Sequence, residues 1–190
     1  PVAEWSRFLA ALQLAQRQLT AVAERARELS GDENAAIFQA QLLMLEDPAL
    51  LVPAQTAISQ FRLNAEAALN DAAESQAQLL ESLEDEYLRS RAADVRDVAQ
   101  RLLRNLSGLD SQPADWPGAP ATVTAERLSP SDALLLGRQH ILGFCTAEDG
   151  PTSHTAILAR GLGLPAVVGA GSEVLEIADG TPAILDGNSG

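Results

Sequence analysis

The chain has 190 residues, 46% hydrophobic and 21% charged, with 26 acidic residues against 13 basic ones and a net charge of -13. That is enough apolar material for a buried core in one or two domains, and the negative balance argues against nucleic acid or an anionic membrane as a partner. All 13 basic residues are arginine, so the lysine of a P-loop and the amine of Schiff-base chemistry are excluded for this chain. Two histidines, His140 and His154, exclude a metal site with several histidine ligands. Cys145, the one cysteine, has no disulfide partner. No uninterrupted apolar stretch and no leader pattern points to a membrane or to export, so the cytosol is the expected compartment.

The first half reads as helices. Residues 2–107 hold one glycine, Gly31, and two neighbouring prolines, Pro48 and Pro53, in a background of Ala, Leu, Gln, Glu and Arg. Trp5, Phe8, Leu9, Leu12, Leu19, Val22 and Leu29 recur at helical spacing and predict one apolar stripe on a first helix. Ser30-Gly31-Asp32 ends it and opens a second, marked by Ile37, Phe38, Leu42 and Leu45. Asp47-Pro48 breaks or kinks that helix before a short continuation, with Pro48 in its first turn. Asn64 can cap a third helix running towards Leu83. A fourth, from about Glu84, carries Tyr87, Leu88, Val95, Val98, Leu102 and Leu103 and stops at Gly108. Four segments joined by short loops predict a hairpin-paired helical bundle over residues 1–108.

Residues 109–120 hold Pro113, Pro117 and Pro120 and read as a linker. From 121 to 190 glycine is frequent and the apolar runs are short: Ala121–Thr124, His140–Cys145, Ala166–Val168 and Pro182–Leu185 are candidate strands. Helices are expected between them, at Ser131–Leu136 and Ser153–Leu162, which makes a small α/β domain. Charge does not separate the two parts: 10 Arg stand against 16 acidic residues up to 108, and 3 against 10 beyond it.

The chemistry gathers around His154, in GPTSHTAILARGLGLPAVVG from Gly150 to Gly169. Gly150-Pro151 makes a turn, Thr152 or Ser153 can cap the helix that follows, and His154 falls in its first turn. A helix start offers unpaired N–H groups and a partial positive charge, which disfavours imidazolium and favours an anion. A neutral imidazole there can act as a nucleophile, and a phosphoryl group on it would meet backbone donors and the hydroxyls of Thr152, Ser153 and Thr155. Local pattern alone leaves other readings open: His154 as a cap-side or surface residue, Thr152 and Ser153 as plain caps, and His140 as structural. Likewise Cys145 reads as a small buried residue, and Arg91, Arg96, Arg101 and Arg104 as a solvated helix face paired with Asp94 and Asp97.

The segment Gly150–Gly169 resembles the phosphohistidine signature of phosphoenolpyruvate-using phosphotransferases. AIFQAQLLMLEDPAL (Ala36–Leu50) and LEDEYLRSRAADVRDVAQRLLRNLSG (Leu83–Gly108) resemble the helical subdomain of one of these families, enzyme I of the bacterial sugar phosphotransferase system. The resemblance implies that His154 carries the phosphoryl group on Nε2, with phosphoenolpyruvate as donor and a histidine of the carrier protein HPr as acceptor. It also implies that Gln41, Leu43, Met44, Asp47, Asn70, Ala73, Leu88, Arg91 and Arg96 lie where the family contacts HPr. No cofactor is expected in this chain; magnesium and phosphoenolpyruvate are expected in a barrel beyond Gly190. The fragment is expected to be a monomer and its parent a homodimer.

Departures from the family pattern are specific. Ala133 stands where a threonine hydrogen-bonds the active histidine, with Ser131 or Thr152 as candidate substitutes. Asp149-Gly150 replaces a glycine doublet, Gln41 replaces a histidine, and Pro48-Ala49 replaces acidic residues. The family begins with a glycine-rich strand before helix 1, and the sheet of residues 121–190 is expected to lack that strand. Competing readings are a phosphohistidine domain of a dikinase, a synthase or a dihydroxyacetone kinase phosphotransfer subunit, and an interaction module in which His154 is inert.

Overall fold

Helices fill residues 2–106: α1 (Val2–Ser30), α2 (Asp32–Leu45), α3 (Pro48–Gln60), α4 (Ala65–Glu81) and α5 (Glu86–Leu106). The computed structural model describes residues 1–108, 119–129, 132–133, 141–151 and 153–189. The chain divides into two units, one of Pro1–Ala23 with Phe38–Gln112 and one of Glu24–Ile37 with Pro113–Gly190.

Local chemistry accounts for the helix ends. Gly31, at φ 89°, makes the sharp turn after α1 that a side chain would oppose. The Asp47 carboxylate accepts from Ala49 N at 2.8 Å, and Pro48 follows it at the first position of α3. Of the expected break or kink at Asp47-Pro48, the break is what forms, so the short continuation is a helix of its own and residues 1–108 hold five helices. Asn64 caps α4 by accepting from Ala67 N at 2.9 Å. Asp85 caps α5 by accepting from Leu88 N at 3.0 Å.

The core of the helical unit is built largely from alanine. Phe8, Leu12, Ala15 and Leu19 of α1 are buried, with Phe38 and Leu45 of α2 and Leu50, Ala54 and Ile58 of α3. Helix α4 buries Ala65, Ala68, Leu69, Ala72, Ala73 and Ala77 and packs against both α3 and α5. Small side chains let these backbones approach closely. The stripe expected on α1 is corrected at two positions, since Leu9 and Leu29 are exposed while Ala11 and Ala15 take the buried face.

Arg7 braces this unit. It pairs with Glu4 at 2.9 Å and Glu66 at 2.5 Å and donates to Leu106 O at 3.3 Å, tying the starts of α1 and α4 to the end of α5. Glu4 also accepts from Ala65 N at 2.9 Å, and this bond, with Arg7, holds its carboxyl below the usual range. The apolar stretch Ala35–Gln60 is long and apolar enough, by length and composition, to cross a membrane. Here Asp47-Pro48 divides it between α2 and α3, whose buried faces join the core.

Besides Glu24–Ile37, the second unit holds a parallel sheet in the order β1 (Ala121–Ala125), β2 (Ile141–Thr146), β3 (Ala166–Val167), with helix α6 (His154–Leu162) between β2 and β3 in the chain. A 3-10 helix, Ser172–Glu176, follows. Central β2 is buried at Ile141, Gly143, Phe144, Cys145 and Thr146, as a strand covered on both faces must be. The α-plus-α/β architecture expected from sequence is present.

Two expectations are corrected. Val168 lies outside β3, and Pro182–Leu185 is irregular chain, with Ile184 99% exposed and the Leu185 side chain turned towards Gly143. An apolar run forms a strand only where a sheet edge supplies the ladder, and this run spends its leucine on covering β2 instead. His140, most of Ser131–Leu136 and residues 109–118 of the expected linker lie outside the described residues. Asp132 and Ala133 are helical, and Ser129 and Asp132 bond each other reciprocally as a capping box.

Candidate functional site

The loop after β2 is gripped from both sides. Ala147 N and Glu148 N donate to Ala125 O and Glu126 O at 2.9 and 3.0 Å, so the bonding to the β1 strand continues past its end. From beyond β3, Gly169 N, Ala170 N and Gly171 N donate to Glu148 O, Thr146 O and Ala147 O at 3.0–3.2 Å. The Thr146 hydroxyl adds a 2.6 Å bond to Glu148 O. Asp149 then takes φ 84°, a value L residues seldom adopt, and its buried Oδ2 has no hydrogen-bond partner among the described residues. Ser153 N closes the following turn on Gly150 O at 2.9 Å.

Ser153 is the cap of α6, its hydroxyl accepting from Ala156 N at 3.2 Å. His154 is the first helical residue and is half-buried. It therefore sits at a helix start, where the first N–H groups have no partner within the helix, after a loop whose backbone is pinned to its neighbours. Downstream, Gly163 leaves α6 in the left-handed conformation (φ 67°, ψ 24°), and Leu164 N returns to Ala159 O at 2.9 Å. A cavity of about 450 Å³ lies beside α6, bordered by Pro151, Ala156, Arg160, Pro165, Gly187 and Asn188.

The expected supporting hydroxyls differ in availability. Thr155 is buried and donates its proton to Leu128 O at 2.6 Å, so it anchors α6 and has none to offer a phosphoryl group; that expectation is corrected. Ser153 accepts at its cap and keeps its proton to donate. Thr152 lies outside the described residues, as does Ser131. Ala133, in the threonine position, is fully buried. Burial pushes the Cys145 thiol up, which suits a core residue. Among the described residues no cluster of three or more His, Cys, Asp or Glu could hold a metal ion.

The residues expected to meet HPr also divide. Gln41 and Ala73, 4% and 3% exposed, face the core and cannot contact a partner directly, because the helical phase turns them inward. Leu43 is 72% exposed, and Asn70 and Leu88 are exposed. Met44 and Asp47 are half-buried, and Asp47 also caps α3 and accepts from Gln76 at 3.5 Å. Arg96 is spent on ion pairs that join α5 to α4. Its Nε and both terminal nitrogens make four bonds of 2.5–3.2 Å to Glu74 and Glu81 of α4. These bonds hold both carboxyls below the usual glutamate range.

A lowered carboxyl stabilises the fold above the ordinary glutamate value, about 4.3, and loses that contribution as pH falls through the lower folded value. The stability difference between wild type and Arg96→Gln is therefore expected at neutral pH and should close below about pH 4. Helicity followed by circular dichroism through acid titrations in denaturant checks this.

Arg91 is arranged differently from Arg96. It pairs with buried Asp94 at 3.1 Å, lies over the Tyr87 ring at 4.7 Å and donates to the Tyr87 hydroxyl. Sequence reading placed Tyr87 only among the apolar positions of the helix. The signal that was present is its i,i+4 spacing to Arg91, followed by Asp94 three residues on.

Comparison with known proteins bears on both units. The family described as PEP-utilising enzyme, N-terminal, matches residues 1–91, and that described as PEP-utilising enzyme, mobile domain, matches residues 119–190. An NMR solution structure of enzyme I is 38% identical, covers 98% of this chain and 75% of its own, and superposes with a TM-score of 0.76. The chain belongs to the enzyme I family. Enzyme I relatives among curated proteins, named phosphoenolpyruvate-protein phosphotransferase, include that of Bacillus sp. (strain S), 42% identical over 99% of this chain, and that of Bacillus subtilis (strain 168), 39% identical over the same share. This chain spans 32% and 33% of their respective lengths. A further structure, the N-terminal domain of Enzyme 1 - Nitrogen, is 28% identical with a TM-score of 0.65, covering 89% of this chain and 68% of its own.

Proposed function

We propose that this chain is the phosphohistidine and carrier-docking part of a phosphoenolpyruvate-protein phosphotransferase. His154 takes a phosphoryl group on Nε2 and exchanges it with a histidine of HPr. The observation that carries the reading is His154 at the capped start of α6, on a pinned loop. Membership of the enzyme I family supports this reading. In this reading residues 1–108 dock HPr, 109–120 link, and 121–190 carry the phosphoryl group in the cytosol, serving sugar uptake. Phosphoenolpyruvate and magnesium act in the remaining length of the parent, a homodimer, whereas this chain alone is a monomer.

Transfer breaks one histidine P–N bond and forms another, so its free-energy change is small and either direction runs. It needs alignment of donor and acceptor and support for the phosphoryl oxygens from the helix start and Ser153. No magnesium step is assigned to this chain. Incubated with labelled phospho-HPr and a chelator, the chain should take up acid-labile phosphate; with labelled phosphoenolpyruvate and magnesium alone it should not. Label from the second mixture, or none from the first, would overturn the assignment.

Docking is assigned to a surface with an apolar centre, Leu43 and Leu88, and a cation, Arg91. Arg91→Glu is expected to weaken HPr binding by ~1–3 kcal/mol, and raised salt should weaken the wild type. Titration calorimetry at two ionic strengths checks both effects.

A further inference from the structure

We infer that Tyr87 is a positioning and recognition residue for the carrier: it holds the Arg91 guanidinium ready and offers its own hydroxyl proton to an oxygen acceptor on HPr. The inference rests on the docking role proposed for the helical unit.

Within that unit the two expected arginines are in opposite situations. Arg96 has its charge matched by two carboxylates and three of its nitrogens engaged, which leaves it little to give a partner. Arg91 has one carboxylate, Asp94, which is 4% exposed and so cannot itself be approached. Asp94 fixes one terminal nitrogen of Arg91 at 3.1 Å, and the Tyr87 hydroxyl accepts from the other. The ring beneath, at 4.7 Å, supplies a face to which a cation is drawn. An arginine held at three points loses less rotamer freedom on binding than a free one. Two of its five N–H groups are used in these bonds, so three remain for a partner.

The direction of the bond to Tyr87 matters. Because the phenol oxygen accepts from Arg91, its proton is still free to donate. Tyr87 is 63% exposed, and its neighbour Leu88 is exposed too, so that donor stands at the surface beside the cation. A guanidinium and a phenol donor side by side recognise oxygen acceptors, carbonyl or carboxylate, on the docking face of HPr. The cation is local, within a chain whose net charge is -13, so it marks a definite spot for such a group.

A staple that only stabilised α5 would have the same contacts, so the test must separate the two roles. Tyr87→Phe keeps the ring and removes the donor, and Tyr87→Ala removes both. With phospho-HPr as donor and His154 as acceptor, Tyr87→Phe should raise KM and the HPr Kd about three- to fivefold, and Tyr87→Ala about tenfold. The kcat and the thermal midpoint should stay at wild-type values. Tyr87→Ala should also flatten the salt dependence of Kd, and Tyr87→Ala/Arg91→Ala should lose less than the two single losses added together, because Tyr87 acts in part through Arg91. If Arg91→Ala weakens binding and Tyr87→Ala does not, the inference falls and the docking surface stands. A rise in Kd that only tracks lost helicity would make Tyr87 a structural staple and equally overturn it. Failure of the wild type to bind HPr would overturn the docking reading and this inference together.

Discussion

His154→Ala is expected to abolish labelling of this chain by phospho-HPr while leaving its fold intact. The expected loss is total, because no other side chain stands at the start of α6 with a nucleophilic nitrogen, and the Thr155 hydroxyl beside it is committed to Leu128 O. The expected cost in stability is small, within about 0.5 kcal/mol, since His154 is half-buried and the cap of α6 is made by Ser153. Acid-labile phosphate after incubation, with urea denaturation run in parallel, separates the two effects. His140→Ala serves as the control and should label normally. Undiminished labelling of His154→Ala would sink the assignment; loss in His140→Ala alone would move the acceptor to the other histidine. A third variant, Ser153→Ala, tests the surroundings. It removes the cap and a hydroxyl still able to donate, so it should slow labelling and destabilise α6 by ~1 kcal/mol.

What was legible in the sequence was mostly local. Asp47-Pro48, Asn64, Ser153 and Gly163 each act within about four residues of themselves, so the start of α3, the start of α4 and both ends of α6 could be read directly. Strand β2 was legible because it is largely buried and therefore a near-continuous apolar run. The position of His154 at a helix start followed from the same short-range rules.

Properties set by packing between distant segments were not legible. Gln41 reads as a polar surface residue, and only the packing of the bundle turns it inward. Arg96 reads as part of a charged face; its clamp on Glu74 and Glu81 depends on how α5 lies along α4. Thr155 looks like one more hydroxyl beside the histidine until its bond to Leu128 O, 27 residues away in sequence, is seen. Pro182–Leu185 has the composition of a strand, and composition does not say whether a ladder is available. The positive φ of Asp149 is not evident from the aspartate itself, and its one signal is that Asp149-Gly150 stands where the family has a glycine doublet.

Gly143→Ala is expected to unfold the sheet of the second unit while leaving the helical unit in place. A Cβ on Gly143 would lie 2.5 Å from Pro165 O, 2.7 Å from Leu185 Cδ2 and 3.2 Å from Pro165 Cβ. The leucine tip can move, but the carbonyl cannot move cheaply. Pro165 O is the acceptor for Phe144 N at 3.1 Å, one of the bonds that join β2 to the approach of β3. A methyl group therefore either breaks that bond or pushes β3, which is only two residues long, away from β2. Overpacking of this kind costs ~1–3 kcal/mol, and an orphaned buried N–H adds ~1–3 kcal/mol more. That total rivals the stability of a small unit. Amide hydrogen exchange should show lost protection in β2, Ile141–Thr146, and retained protection in α4 and α5. Phosphoryl uptake at His154 should fall in proportion to the folded fraction, because the loop before α6 depends on bonds from both neighbouring strands. HPr binding through Arg91 should remain within about twofold of wild type, an interaction change too small to signal a lost contact. Wild-type exchange in β2 would show that the Pro165 backbone yields easily and sink the prediction. Loss of HPr binding with α4 and α5 still protected would show that docking needs the second unit as well.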